Sequence, residues 1–134
     1  MTLELVHQNA CRFLGQVAYD PTYAGLVLDA AEGDRLAAVM GSKRVLMCAN
    51  HGVLVAGETV AAAFDELYYL ERAAQIQVLA ASTRRPTRPI DPAVAAAYAA
   101  EADRFRQVWA DKHFAARKRQ LLRPPVAGHA DFAA

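Results

Sequence analysis

The chain is poor in the residues that build covalent or metal frameworks: its 134 residues include only two cysteines, four histidines and one tryptophan. Cys11 and Cys48 form no Cys-x-x-Cys pair, which excludes a disulfide scaffold and a thiolate zinc ribbon, so both are expected as free buried thiols. His7, His51, His113 and His129 include no His-x-His or His-x-x-x-His pair. A catalytic zinc normally takes three protein ligands, so spacing alone supplies no such site. No segment approaches the roughly 18 uninterrupted apolar residues of a membrane span, and Glu4 stands where a signal peptide has a basic flank. A cytoplasmic protein with no membrane partner is the expectation. Glycine-rich phosphate loops, a Walker lysine and a Gly-x-Ser-x-Gly elbow are also missing, which removes the common nucleotide-binding and serine-hydrolase classes.

Charge of one sign is lacking overall but not locally. Net charge is +1, yet residues 1–83 hold five Arg and Lys against nine Asp and Glu, whereas residues 84–134 hold ten against five. Arg117-Lys118-Arg119 has no aromatic interleaving, so it reads as a solvated helix end suited to the helix dipole and not as a nucleic-acid surface. Alanine supplies much of the 54% hydrophobic content. It favours helix but buries little area per residue, so a thin core with apolar surface left over is expected, and with it a homo-oligomer.

Periodicity divides the chain into short elements. Residues 3–15, an amphipathic turn or helix, carry Leu3, Val6, Ala10 and Phe13 or Leu14 near helical spacing and stop at Gly15. Val17–Tyr19 and Leu26–Leu28 are strand candidates around Asp20-Pro21. Asp29 with Glu32 forms a capping-box-like start for a helix to Met40, with Gly41 as its stop. Val45–Ala49 and Val53–Ala56 are apolar on both faces, which predicts interior strands of a covered sheet. Thr59 is the predicted N-cap of a helix running to about Ala81, with Phe64, Leu67, Ala74 and Val78 as its core stripe, widened by Leu70, Ala63 and Ala73. A proline-broken linker with three arginines, residues 82–89, precedes a last helix capped by Asp91 with Pro92 at its first position. Its expected stripe is Val94, Tyr98, Ala102, Phe105, Trp109 and Ala116. One domain over residues 1–123 and a disordered tail over 124–134 follow.

Two residues invite chemistry. Asn50-His51-Gly52 sits between the apolar strands as a hairpin turn, because asparagine and glycine accept the positive φ of tight loops. His51, held on a stiff turn, is a candidate metal ligand or simply a turn histidine, and sharing a metal with Cys48 is a weaker alternative. Glu71 falls within the predicted stripe, where a carboxylate needs a partner. It either braces the hairpin or the His51 ring, or pairs with Arg72 or Arg35.

The run NHGVLVAGETVAAAFDELYYLERAAQIQVLA, Asn50 to Ala80, closely resembles the class II aldolase and adducin family. It carries the Asn-His-Gly turn, a Gly-x-Thr-Val helix start at Gly57 to Val60, Leu70-Glu71-Arg72-Ala73 and Gln77, and upstream Gln8, Phe13, Glu32, Leu36 and Gly41 also fit. The resemblance covers residues 5–82 and implies an α/β fold of the α+β layered kind, with a mostly antiparallel central sheet flanked by helices. It implies that His51 is the third histidine of a divalent metal site, with zinc the expected ion. Aldol cleavage, decarboxylation or epimerisation of a hydroxy-carbonyl or sugar-phosphate substrate is the implied chemistry. The family's upstream His-x-His pair and its catalytic acidic residue have no counterpart here. The domain is therefore incomplete on its N-terminal side, no catalytic residue is assigned, and the chain alone is expected to be inactive. The alternative is a non-catalytic oligomeric binding or scaffold protein of the adducin type.

Overall fold

The computed structural model describes residues 2–23, 25–26 and 29–123. A 3-10 helix, Gln8–Phe13, leads into strand β1, Val17–Asp20, and helix α1, Ala30–Met40, connects it to β2, Val45–Cys48. Strand β3, Gly52–Val55, helix α2, Val60–Ser82, and helix α3, Pro92–Leu121, follow. The layered α and β architecture is as expected. The sheet, however, has the order β1-β2-β3 with β1 parallel to β2 and β2 antiparallel to β3, so antiparallel pairing does not predominate among the described strands. The cause is α1: a helical crossover returns the chain to the end of the sheet where β1 began, which forces a parallel neighbour. Residues 27 and 28 of the expected Leu26–Leu28 strand, and the 124–134 tail, lie outside the described residues.

The starts and stops predicted from capping chemistry are present. Asp29 Oδ1 accepts from the Glu32 amide at 3.1 Å, Thr59 Oγ1 from the Ala62 amide at 3.1 Å, and Asp91 Oδ1 from the Ala93 amide at 2.8 Å. Gly41 closes α1 with φ +55°, where a side chain is strained. Among the described strands only β2 is interior. Its partner β3 forms an edge, alternates in burial and leaves Leu54 42% exposed, because β1 occupies the other side of β2.

The core gathers Ala10, Phe13, Val45, Leu70 and Ala73, while Ala61, Ala62 and Ala110 form a second contact where α2 meets α3. Alanine thus lets two long helices approach closely. Each helix buries only part of the stripe that periodicity predicts: Leu70 and Ala73 in α2, and Ala102 in α3, face the core, while most of the larger positions do not. In α2 the buried positions are Ala61, Ala62, Asp65, Glu66, Leu70, Ala73 and Gln77, whereas Leu67 and Val78 are 44% and 52% exposed. In α3 they are Ala95, Ala102 and Ala110, with Phe105 and Trp109 each 39% exposed and stacked at 5.7 Å between ring centroids. The helices turn their smallest residues inward, since close approach gains more contact than large side chains held apart.

Gly57 explains the Gly-x-Thr-Val start. A Cβ added there would lie 2.6 Å from the Ala63 amide nitrogen, inside the first turn of α2. Backbone cannot yield as a side chain can. Gly57→Ala is expected to cost about 1–3 kcal/mol, typical of overpacking, read as a lower urea midpoint with an unchanged m value; an unchanged midpoint would show that the helix start shifts freely.

Candidate functional site

His51 sits at the tip of the β2–β3 hairpin as the sequence predicts. Asn50 adopts φ +56°, and the His51 amide donates to the Cys48 carbonyl at 3.3 Å, closing the turn. The tip adjoins the carboxyl ends of the parallel strands β1 and β2, the end of an α/β unit where ligands commonly bind. A small recess of about 80 Å³ opens there, lined among others by Asp20, Thr22, Glu32, Arg35, Cys48 and His51.

Its polar groups are already committed to each other. Arg35 donates from Nη1 and Nη2 to Asp20 at 3.0 and 2.6 Å, and from Nε and Nη2 to Glu32, both at 2.7 Å. Asp20 also accepts from the Thr22 amide at 3.0 Å and is only 3% exposed. Hydrogen bonding to Arg35 holds both carboxyls below their usual range and raises the guanidinium in turn. Two carboxylates against one guanidinium leave the group with a charge of −1. Burial pushes the Cys48 thiol up, with Asp20 adding to the shift, so it is a poor thiolate nucleophile.

The other histidines go elsewhere. His7 caps the 3-10 helix, its Nδ1 accepting from the Asn9 amide at 3.2 Å. His113 binds Asp65 Oδ1 through Nδ1 at 2.8 Å, while Arg117 Nε donates to its Nε2 at 3.3 Å. Nε2 is thereby an acceptor, so Nδ1 carries the proton given to Asp65. His129 lies outside the described residues. Among the described residues no three His, Cys, Asp or Glu side chains converge to hold a metal ion. His51 and Cys48 share the recess, but Asp20 and Glu32 are bound to Arg35, so these residues do not fit a closed or catalytic zinc site.

Glu71 is not a buried brace. It is exposed on α2, without an ion pair among the described residues; Arg72 turns instead to Gln75 at 2.9 Å, and Arg35 to Asp20 and Glu32. The buried carboxylates of α2 are Asp65 and Glu66, each 1% exposed and absent from the sequence-based candidates. Arg12 from the 3-10 helix pairs with Asp65, and Arg44, just before β2, reaches Glu66 at 3.3 Å and Asp103 of α3 at 3.2 Å. Burial pushes the Glu66 carboxyl up, opposed by Arg44, Arg12 and Arg106. This second polar cluster joins elements; it encloses no space a ligand could fill. Arg12 and Arg44 were the available signal, as basic residues flanking the strands that α2 must cover.

Comparison with known proteins meets this geometry. Residues 1–78 match the family described as Class II Aldolase and Adducin N-terminal domain. A protein of Caulobacter vibrioides, provisionally termed an aldolase class 2 protein, is 38% identical over 88 residues, 66% of this chain and 34% of its own length. An adducin-related protein of Schizosaccharomyces pombe is 37% identical over 68 residues, covering 51% of this chain and 21% of its own. The crystal structure of an aldolase II superfamily protein from Pseudomonas syringae superposes with a TM-score of 0.79 at 33% identity, over 89% of this chain and 48% of that one. The chain thus spans about a third of the Caulobacter relative and just under half of the Pseudomonas chain.

The Arg35 clamp predicts a definite acid response. Carboxyls held below their unfolded values contribute stability above the ordinary carboxylate range, and that stability is lost as pH falls through the depressed values. In Arg35→Met, Asp20 loses its partner and stays buried, so its pKa rises. The acid-unfolding midpoint followed by circular dichroism is expected to move to higher pH; a coincident curve would mean that the clamp contributes nothing.

Proposed function

Since this chain belongs to the class II aldolase and adducin family, we propose that, on its own, it is a non-catalytic binding and assembly member of that family, with His51 presented as one isolated ligand. The observation that carries this reading is the Asp20–Arg35–Glu32 clamp. It ties up both carboxylates that line the recess with His51 and leaves it without a coordination set among the described residues. Aldol cleavage or related lyase or epimerase chemistry on a hydroxy-carbonyl or sugar-phosphate compound is reserved for an assembly in which outside ligands reach His51. One imidazole leaves most of a zinc shell to water. No helix among the described residues is long and apolar enough to cross a membrane. A cytoplasmic setting, without nucleic acid or membrane as partner, completes the reading.

Assembly is supported by α3. Val94, Phe105, Val108 and Trp109 are 60%, 39%, 50% and 39% exposed. At 100° per residue they fall within about 100° of one another around the helix, an arc they share with the exposed Glu101 and Lys112. Large apolar faces on soluble proteins commonly mark interfaces. The homo-oligomer is proposed to form there.

Two measurements test these readings. Metal analysis after dialysis with zinc is expected to find far less than one ion per chain, the same for His51→Ala, and no aldol cleavage; stoichiometric zinc lost in the variant would replace the binding reading with an enzymatic one. In light scattering at micromolar concentration the chain is expected to exceed monomer mass, and Phe105→Ser with Trp109→Ser to reduce it to monomer. A wild-type monomer would remove the assembly reading.

A further inference from the structure

Away from His51, a surface groove of about 340 Å³ lies on α2, lined by Phe64, Leu67, Tyr68, Glu71 and Arg72. Its floor is aromatic and continues onto α3, where Phe114 lies 5.5 Å from Phe64 and His113 meets Tyr68 edge-on at 4.6 Å. Two guanidiniums address the same ring: the central carbon of Arg72 is 5.3 Å, and that of Arg117 4.9 Å, from the Tyr68 centroid. Neither has a carboxylate within 4.0 Å among the described residues, in contrast to Arg12, Arg35, Arg44, Arg104 and Arg106. Arg72 spends one donor on Gln75, and Arg117 two, on His113 and Gln120 at 3.0 Å. A guanidinium has five N–H donors, so both keep several for a ligand. The Asp65–His113–Arg117 chain of hydrogen bonds fixes where Arg117 points.

We propose that this groove binds a small aromatic carboxylate, its ring against Phe64, Leu67 and Tyr68 and its carboxylate on Arg72 and Arg117. The charge count selects the class. Arg72 and Arg117, with the Lys118 ammonium 5.4 Å from the Phe114 ring, outnumber the single carboxylate of Glu71, so the groove carries net positive charge that an anion neutralises and a neutral ligand does not. The planar fork of guanidinium matches carboxylate geometry, and the half-buried Phe64 and Tyr68 rings beside the exposed Leu67 reward a flat apolar body. Glu71 opposes the ligand's charge. It therefore tunes affinity downward, a use for the one carboxylate of α2 that faces outward without a partner.

The probe is 3-phenylpropionate, titrated into the isotopically labelled full chain and followed by amide chemical shifts. Saturable shifts centred on Tyr68 and Arg72, with millimolar affinity as expected for so small a ligand, are the expected result. Neutral 3-phenylpropanamide and ringless propionate are each expected to bind at least about tenfold more weakly, one guanidinium–carboxylate contact being of that order. Arg72→Gln is expected to weaken the propionate probe similarly, and Glu71→Gln to tighten it several-fold. Because both lie at the surface, folding is not at risk, and the opposite signs separate binding from general disturbance. Equal shifts from acid and amide, indifference to both substitutions, or shifts centred on His51 would each overturn the proposal.

Discussion

Two adjacent buried carboxylates in the first half of α2 organise this molecule. Asp65 and Glu66 are backbone neighbours about 100° apart on the helix, so they face different elements. Asp65 receives Arg12 and His113, and Glu66 receives Arg44, which also grips Asp103. The 3-10 helix, the entry to β2 and α3 are thereby tied to one turn of α2. Such charges stabilise little against an apolar replacement, but removing one partner leaves a buried charge and costs about 3–5 kcal/mol. Glu66 Oε2 has no hydrogen-bond partner among the described residues, so part of the desolvation penalty stands uncompensated. These charges specify orientation more than they add stability.

The same division of labour accounts for the apolar positions. With carboxylates and alanines occupying much of the contact faces, most large apolar residues of α2 and α3 other than Leu70 are left wholly or partly outside, and the molecule acquires surfaces suited to meeting something else. Its His51 recess is the converse case. There the Asp20, Glu32 and Arg35 side chains satisfy one another beside the hairpin tip.

Local chemistry was legible in the sequence wherever a residue's role depends on its immediate neighbours. Asp29, Thr59 and Asp91 cap the helices they precede, Asn50 takes the positive φ of the turn, and Gly41 ends its helix. What periodicity misassigned depends on distant residues. A hydropathy template places Leu67 and Val78 in the core and rejects Asp65 and Glu66, because it cannot know that Arg12 and Arg44 arrive from 53 and 22 positions away. The parallel β1–β2 pair escaped for a related reason: it is set by where α1 returns the chain, not by either strand's residues. Glu71 was drawn into the wrong face by that same template. The site itself was half visible, with His51 located from its turn and Asp20 and Arg35 unnoticed.

Gln77 shows what distance costs. Its side chain accepts from the Glu4 amide and donates to the Thr2 carbonyl, both at 2.8 Å, while the Ile90 amide donates to the Leu5 carbonyl at 2.8 Å. The earliest part of the chain is thus anchored by residues made more than seventy positions later. At the roughly 5–20 residues per second of translation, those first residues wait on the order of 4–15 seconds for their partners. Throughout that interval Leu3 and Leu5 lack the part of their core that Leu70 and Ala73 of α2 supply.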